Sequence, residues 1–188
     1  MIDANLVYFA HGKESGPWGT KITRLAAVAR RSGYRVASPD YSHTHDPKTR
    51  VAQLLDIHPK TNGALVLVGS SMGGYVSAAA SHRLKPDGLF LMAPALYFQG
   101  FELPAPASAR LMAVVHGWQD EIVPVDAGIR FAREHSASLH VLKSGHTLTD
   151  QLPILEYLFA DFLAQVSTRV LSERSRENGE PKNPISPA

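Results

Sequence analysis

The 188-residue chain contains no cysteine. Disulfides, thiolate metal sites and a cysteine nucleophile are therefore excluded. It has no uncharged apolar stretch approaching the ~18 residues needed to span a membrane. No Lys/Arg run stands out before the last part of the chain, so the electrostatic footprint of a nucleic-acid binder is missing. Neither sign of charge dominates: 19 Lys and Arg stand against 17 Asp and Glu. The opening Met1-Ile2-Asp3-Ala4-Asn5 lacks a basic segment followed by an apolar run. No secretory signal is expected, and cytoplasmic residence is the default expectation. What is present is ordinary globular composition, 44% hydrophobic and 19% charged, enough for one domain with a proper core.

Strand and helix patterns alternate along the chain. Short apolar runs lie near residues 6, 36, 66, 90, 113 and 140, and none shows a polar alternation. That pattern predicts about six strands buried on both faces. Between them lie helical patterns at about 20–31, 47–56, 75–80, 126–134 and 152–165. The first has Ile22, Leu25, Ala26 and Ala29 on one side, and the second has Val51, Leu54 and Leu55. Alternating β and α predicts an α/β fold, a parallel sheet with helices on both faces. From about Leu171 the chain carries almost no apolar residue, too few to offset the entropy of ordering it. The expected organisation is one folded domain over residues 1–168 and a polar, mobile C-terminal tail over 169–188.

Gly69-Ser70-Ser71-Met72-Gly73 reads G-x-S-x-G, between the apolar run Ala64–Val68 and a helix rich in small residues. A serine on such a strand-to-helix bend is pushed out above the sheet, and the flanking glycines let strand and helix approach without a Cβ clash. By itself the motif is weak. At ordinary usage of roughly 7% for each residue, about one chain in twenty of this length contains it by accident. Its company strengthens it. The strand near 113 ends in His116-Gly117-Trp118-Gln119-Asp120-Glu121-Ile122-Val123-Pro124, and the strand near 140 is followed by Gly145-His146. Ser71, Asp120 and His146 each follow the carboxyl end of an expected parallel strand, the edge where sites form in such sheets.

Together with His11-Gly12 after the first strand, these runs resemble the α/β-hydrolase superfamily, and the resemblance covers about residues 5–165. It implies a single-domain α/β-hydrolase core without the early antiparallel strands. It also implies a member without a sizeable cap, since only Pro94 to Ser108 separates the fourth strand from the fifth. The order Ser71, Asp120, His146 is the order in which such enzymes place nucleophile, acid and base. By the same resemblance, the backbone N–H groups of Met72 and Lys13 would hold the oxyanion. No cofactor and no metal are implied.

Each role has an ordinary alternative. Ser71 could be a turn serine, or part of a phosphate cradle, but the Gly-Lys-Ser/Thr that such a loop needs is absent. Ser70 is in the wrong register. Asp120 competes with Glu121 and Asp126, and the His-Gly-x-x-Asp spacing favours Asp120. Asp150 suits the start of the last helix. Nine histidines are present, and position after the last strand singles out His146, since an imidazole can take and return a proton at neutral pH. His11 is expected to shape its loop, and His116 to support its turn by hydrogen bonding. His43 and His45 lack the third ligand a metal needs. Trp18, Trp118, Tyr97 and Phe98 could wall an acyl pocket or simply pack on the surface. The expectation is a serine hydrolase of carboxylesterase or thioesterase type, cleaving a small acyl ester or thioester through an acyl-enzyme on Ser71. The alternative is a ligand-binding or signalling protein on the same fold.

Overall fold

A computed structural model describes residues 5–179. Six strands form where the apolar runs predict them: β1 (Asn5–Ala10), β2 (Tyr34–Ala37), β3 (Leu65–Ser70), β4 (Gly88–Met92), β5 (Leu111–Gly117) and β6 (Ser138–Leu142). All neighbouring pairs are parallel, in the order β2-β1-β3-β4-β5-β6. No antiparallel strand precedes or joins this sheet among the described residues. The order reverses between β1 and β3, and their carboxyl ends open the crevice where open α/β sheets bind ligands.

Five helices cover the sheet: α1 (Thr20–Arg31), α2 (Pro47–Ile57), α3 (Met72–Leu84), α4 (Val125–His135) and α5 (Leu152–Gly179). Successive side chains of a strand point to opposite faces. Val7, Phe9, Val66, Val68, Phe90 and Met92 pack with Ile22 and Leu25 of α1 and Phe159 and Phe162 of α5. Tyr8, Leu67, Leu89, Leu91 and Val114 pack on the other side with Leu54, Val76 and Phe131 of α2, α3 and α4. The central strands are apolar on both faces and show no alternation, whereas the edge strands β2 and β6, expected to be buried on both faces, are only partly buried because each has a neighbour on one side alone. The small residues of α3, from Ser77 to Ser81, are all buried.

No helix separates β4 from β5. The connection at residues 93–110 is an irregular strap across α3. Ala95 N–H donates to the Ser71 carbonyl, the Tyr75 hydroxyl to the Glu102 carbonyl and Ser108 N–H to Ser81 Oγ. The short segment expected in place of a cap is thus tied down at both ends and in the middle.

One boundary differs from the sequence reading. The last helix was expected to end near Gln165 and a mobile tail to begin at 169, yet α5 runs to Gly179. Val170 packs partly buried against the core. Arg169 donates to the Arg110 carbonyl at 2.7 Å, and Glu173 forms an ion pair with Arg110. A polar segment that cannot nucleate a helix can still extend one already formed, because each added residue gains a hydrogen bond without a new nucleus. Residues 180–188 of the expected tail lie outside the described residues. No helix among the described residues is long and apolar enough to cross a membrane.

Candidate active site

β3 ends at Ser70 and α3 begins at Met72, so Ser71 alone makes the turn. It does so at φ 54° and ψ −120°, a left-handed conformation that a non-glycine residue holds only when its surroundings over-determine it. They do. Ser71 N–H donates to the Met92 carbonyl at 2.9 Å, and its carbonyl accepts from Gly74, Tyr75 and Ala95. The motif glycines are required by close approach. A Cβ on Gly69 would lie 2.1 Å from the Gly73 carbonyl oxygen, and one on Gly73 would lie 1.9 Å from that of Ala10.

His146 Nε2 stands 3.0 Å from Ser71 Oγ, and its Nδ1 stands 2.8 Å from Asp120 Oδ2. The second contact depends on two loops meeting. A Cβ on Gly117 would lie 2.3 Å from the Ser144 carbonyl oxygen, so only glycine lets the turn after β5 press against the turn after β6. The Asp120 side chain is fully buried. Burial pushes its carboxyl upward. The Val123 N–H, the His146 ring and the Ile122 N–H outweigh that and hold it below the usual carboxylate range. Both N–H groups reach Oδ1, at 2.8 and 2.9 Å.

His116 completes the environment. Its ring is buried, with Nε2 3.1 Å from Asp120 Oδ2 and 3.0 Å from the Val123 carbonyl oxygen. Both neighbours accept, so the proton sits on Nε2. Burial pushes the imidazole below its ordinary pKa, against the pull of Val123 and Asp120, and this keeps it neutral.

The loop after β1 forms the facing wall. His11 is buried, donates from Nδ1 to the Gly12 carbonyl (2.8 Å) and accepts the Tyr41 N–H at Nε2 (2.9 Å). It shapes the loop, as expected. Arg50 of α2 is equally buried. Its guanidinium donates to the carbonyls of Thr44 (2.9 Å), His11 (3.3 Å) and Gly12 (3.1 Å), fixing the loop after β1. A Cβ on Gly12 would lie 3.6 Å from Ser71 Cβ. Lys13 and Met72 both line the resulting cleft of about 640 Å³, together with Ser71 and His146. As the first residue of α3, Met72 presents an N–H with no carbonyl a turn behind it in the helix.

The sequence matches the model of the alpha/beta hydrolase family over residues 7–180. The chain belongs to that family. Among solved structures, it is similar to a protein of the α/β hydrolase superfamily from Xanthomonas campestris pv. campestris. The two share 32% identity over 86% of this chain and 99% of that one, with a TM-score of 0.76. Est1E from Butyrivibrio proteoclasticus is 16% identical over 87% and 88% of the two chains, at a TM-score of 0.74. A lid-less α/β serine hydrolase, XC6422 from Xanthomonas campestris, is 21% identical over 88% and 83%, at 0.65. No curated protein matches the chain by sequence.

Within this α/β hydrolase, the other candidates separate cleanly. Glu121 and Asp126 are exposed, and the carboxylate that His146 meets is that of Asp120. Asp150 accepts from the Ser144 hydroxyl, bracing the His146 loop. His43 and His45 are exposed, and His140 lies within β6. Phe98 lines the cleft. Trp18 and Trp118 are half-exposed outside it, and Tyr97 turns to Glu134 instead, at 2.7 Å. Two residues escaped sequence reading. Arg50 shares a buried face with Leu54, one turn on, where a charge reads as solvated. Lys21 sits in the first turn of α1 and lines the cleft.

Proposed function

We propose that the protein is a serine hydrolase that cleaves a small acyl ester or thioester through an acyl-enzyme on Ser71. The observation that carries this reading is the unbroken run of hydrogen bonds from Ser71 Oγ through His146 to Asp120, 3.0 and 2.8 Å. His146 Nδ1–H donates to Asp120, which leaves Nε2 free to accept the hydroxyl proton. As Ser71 Oγ attacks the ester carbonyl, that proton passes to Nε2, and Asp120 stabilises the imidazolium. The carbonyl oxygen takes up the electron pair and is met by the Met72 and Lys13 N–H groups. Losing one such donor typically costs ~10²–10³ in rate. Collapse returns the pair to the carbonyl, and His146 protonates the departing alcohol or thiol. Water, deprotonated by His146, then attacks the acyl-enzyme, releases the carboxylic acid and restores Ser71.

The ferulic acid bound to Est1E, a small acid in a structural neighbour, is in keeping with a small acyl ester as substrate class. So is the modest cleft beneath a strap instead of a cap. The test is p-nitrophenyl butyrate hydrolysis together with labelling by a fluorophosphonate probe. The wild-type protein is expected to turn over the ester and to label. Ser71→Ala is expected to do neither, with its melting temperature nearly unchanged. A protein that uses the cleft only to hold a ligand would leave the probe unreacted and overturn the reading.

A further inference from the structure

The strand order divides the cleft. β1 lies on one side of β3, while β4 and β5 lie on the other. The loop after β1 and the start of α1 therefore wall one side of Ser71, with Lys13, Glu14, Ser15, Thr20 and Lys21. The segments after β4 and β5 wall the other, with Ala95, Phe98, Phe101, Ile122 and Val123. One wall is polar and basic; the other is apolar and aromatic.

The charges on the polar wall are not equivalent. Lys13 and Glu14 are exposed at the rim and lie 3.8 Å apart, neutralising each other. Lys21 is partly buried and has neither a hydrogen bond nor an ion pair among the described residues. The anion nearest in influence is Asp120, whose oxygens are already occupied. Oδ1 accepts from Ile122 and Val123, and Oδ2 faces His116 and His146. The first turn of α1 adds no acidic residue, and its N-cap, Gly19, has no side chain to fold back. A cation only partly withdrawn from water and left without a partner is open to an incoming anion, and this one lines the same cleft as Ser71, where the acyl-transfer steps do not use it.

We propose that Lys21 anchors an anion subsite in the cleft, and that the substrate is a small ester bearing an anionic oxygen group, a carboxylate or a phosphate, on the side of the scissile bond opposite an apolar or aromatic portion. This rests on the serine-hydrolase reading of the site. The cation completes its coordination only when substrate is present, so selectivity comes from pairing a charge the protein has left open. Burial also pushes the Lys21 ammonium down to about 8, against the opposing pull of Asp120. The subsite thus loses its charge as the solution becomes mildly alkaline. The titratable groups that line the cleft with it are Lys13 and Glu14 from the β1 loop and His146 from the turn after β6, and Asp120, behind His146, acts on it electrostatically.

The experiment compares kcat/KM within two matched ester pairs. One pair carries the charge on the acyl side: 4-nitrophenyl hydrogen glutarate against 4-nitrophenyl valerate. The other carries it on the alcohol side: butyrylglycolate against its amide. In at least one pair the anionic ester is expected to be favoured roughly 10- to 100-fold, the range of a charged hydrogen bond. Lys21→Met should erase the preference and Lys21→Arg should keep it, with both variants folded by circular dichroism. The ratio should also fall as pH rises past about 8, because the titration of the Ser71–His146–Asp120 group is common to both members of a pair and cancels. No preference in either pair, or a preference that survives Lys21→Met, overturns the subsite. A wild-type protein that hydrolyses none of the four esters fails the serine-hydrolase reading instead. The subsite is then decided by calorimetry with glutarate and with inorganic phosphate: binding lost in Lys21→Met supports it, and binding of neither, or binding unchanged, overturns it. The same titrations on Ser71→Ala separate a carboxylate site from a phosphate site.

Discussion

His116 Nε2 lies 3.1 Å from Asp120 Oδ2, the same oxygen that lies 2.8 Å from His146 Nδ1. Asp120 is thus held from behind by a neutral, buried imidazole while it orients the one in the cleft. Removing the rear donor leaves the carboxylate with less to offset its burial. His116→Phe is expected to weaken the hold on the Asp120 carboxylate and so on the orientation of His146. It should also lower the kcat/KM plateau about tenfold, the scale of one hydrogen bond to a charged group. A plateau rate equal to wild type would show that His116 only fills space.

Asp120→Asn tests the other side of the same carboxylate. An amide can turn only one oxygen toward its neighbours, so it cannot accept from Ile122, Val123, His116 and His146 together. With the tautomer of His146 no longer held, ester hydrolysis at neutral pH should fall by ~10⁴. A loss below tenfold would pass the role to another acid.

Most of this arrangement was legible in the chain, and the limits have physical causes. The strands announced themselves because Val66-Leu67-Val68 and Phe90-Leu91-Met92 are buried on both faces. Ser71, Asp120 and His146 were findable because each follows a strand that pattern alone identifies. Arg50 and Lys21 were not. A basic residue on a helix face is solvated far more often than enclosed, and only three-dimensional packing shows that Arg50 is sealed beneath Tyr41 and His11. The continuation of α5 past Gln165 depends on Arg110, 59 positions earlier than Arg169, which no local window contains.

Arg50 carries a prediction of its own. Its guanidinium holds the His11 and Gly12 carbonyls of the loop that carries Lys13, whose N–H is the proposed second oxyanion donor. Arg50→Met leaves those carbonyls without donors. Stability should fall, and kcat should drop about tenfold while KM moves little, because oxyanion donors act on the transition state. A rise in KM at constant kcat would assign Arg50 to substrate binding instead.

Cutting the chain after Thr168 removes Val170 from the core edge along with the Arg169 and Glu173 contacts to Arg110. The melting temperature should fall by about 3 °C, the equivalent of ~1 kcal/mol in a domain of this size. Ester hydrolysis should persist, since the cut lies roughly 25 Å along the helix from its start beside the His146 loop, at ~1.5 Å per residue. An unchanged melting temperature would mean that the helical extension adds nothing to the fold.

Lys21 should cost the protein stability in the absence of ligand. Its folded-state pKa is about 8 against an ordinary 10.5, so the folded state binds its proton less tightly than the unfolded state. Below pH 8 both states are charged and the full penalty is present. Between about 8 and 10.5 the unfolded chain still holds the proton while the folded chain releases it, and stability rises with pH. Above that window the penalty is gone. Lys21→Met is therefore expected to melt somewhat higher than wild type at pH 7. The gap should close progressively toward pH 10.5. Adding glutarate should stabilise the wild-type protein and leave Lys21→Met where it is. A Lys21→Met protein no more stable than wild type at pH 7 would show that the ammonium reaches water, and that its partner is solvent and not a substrate.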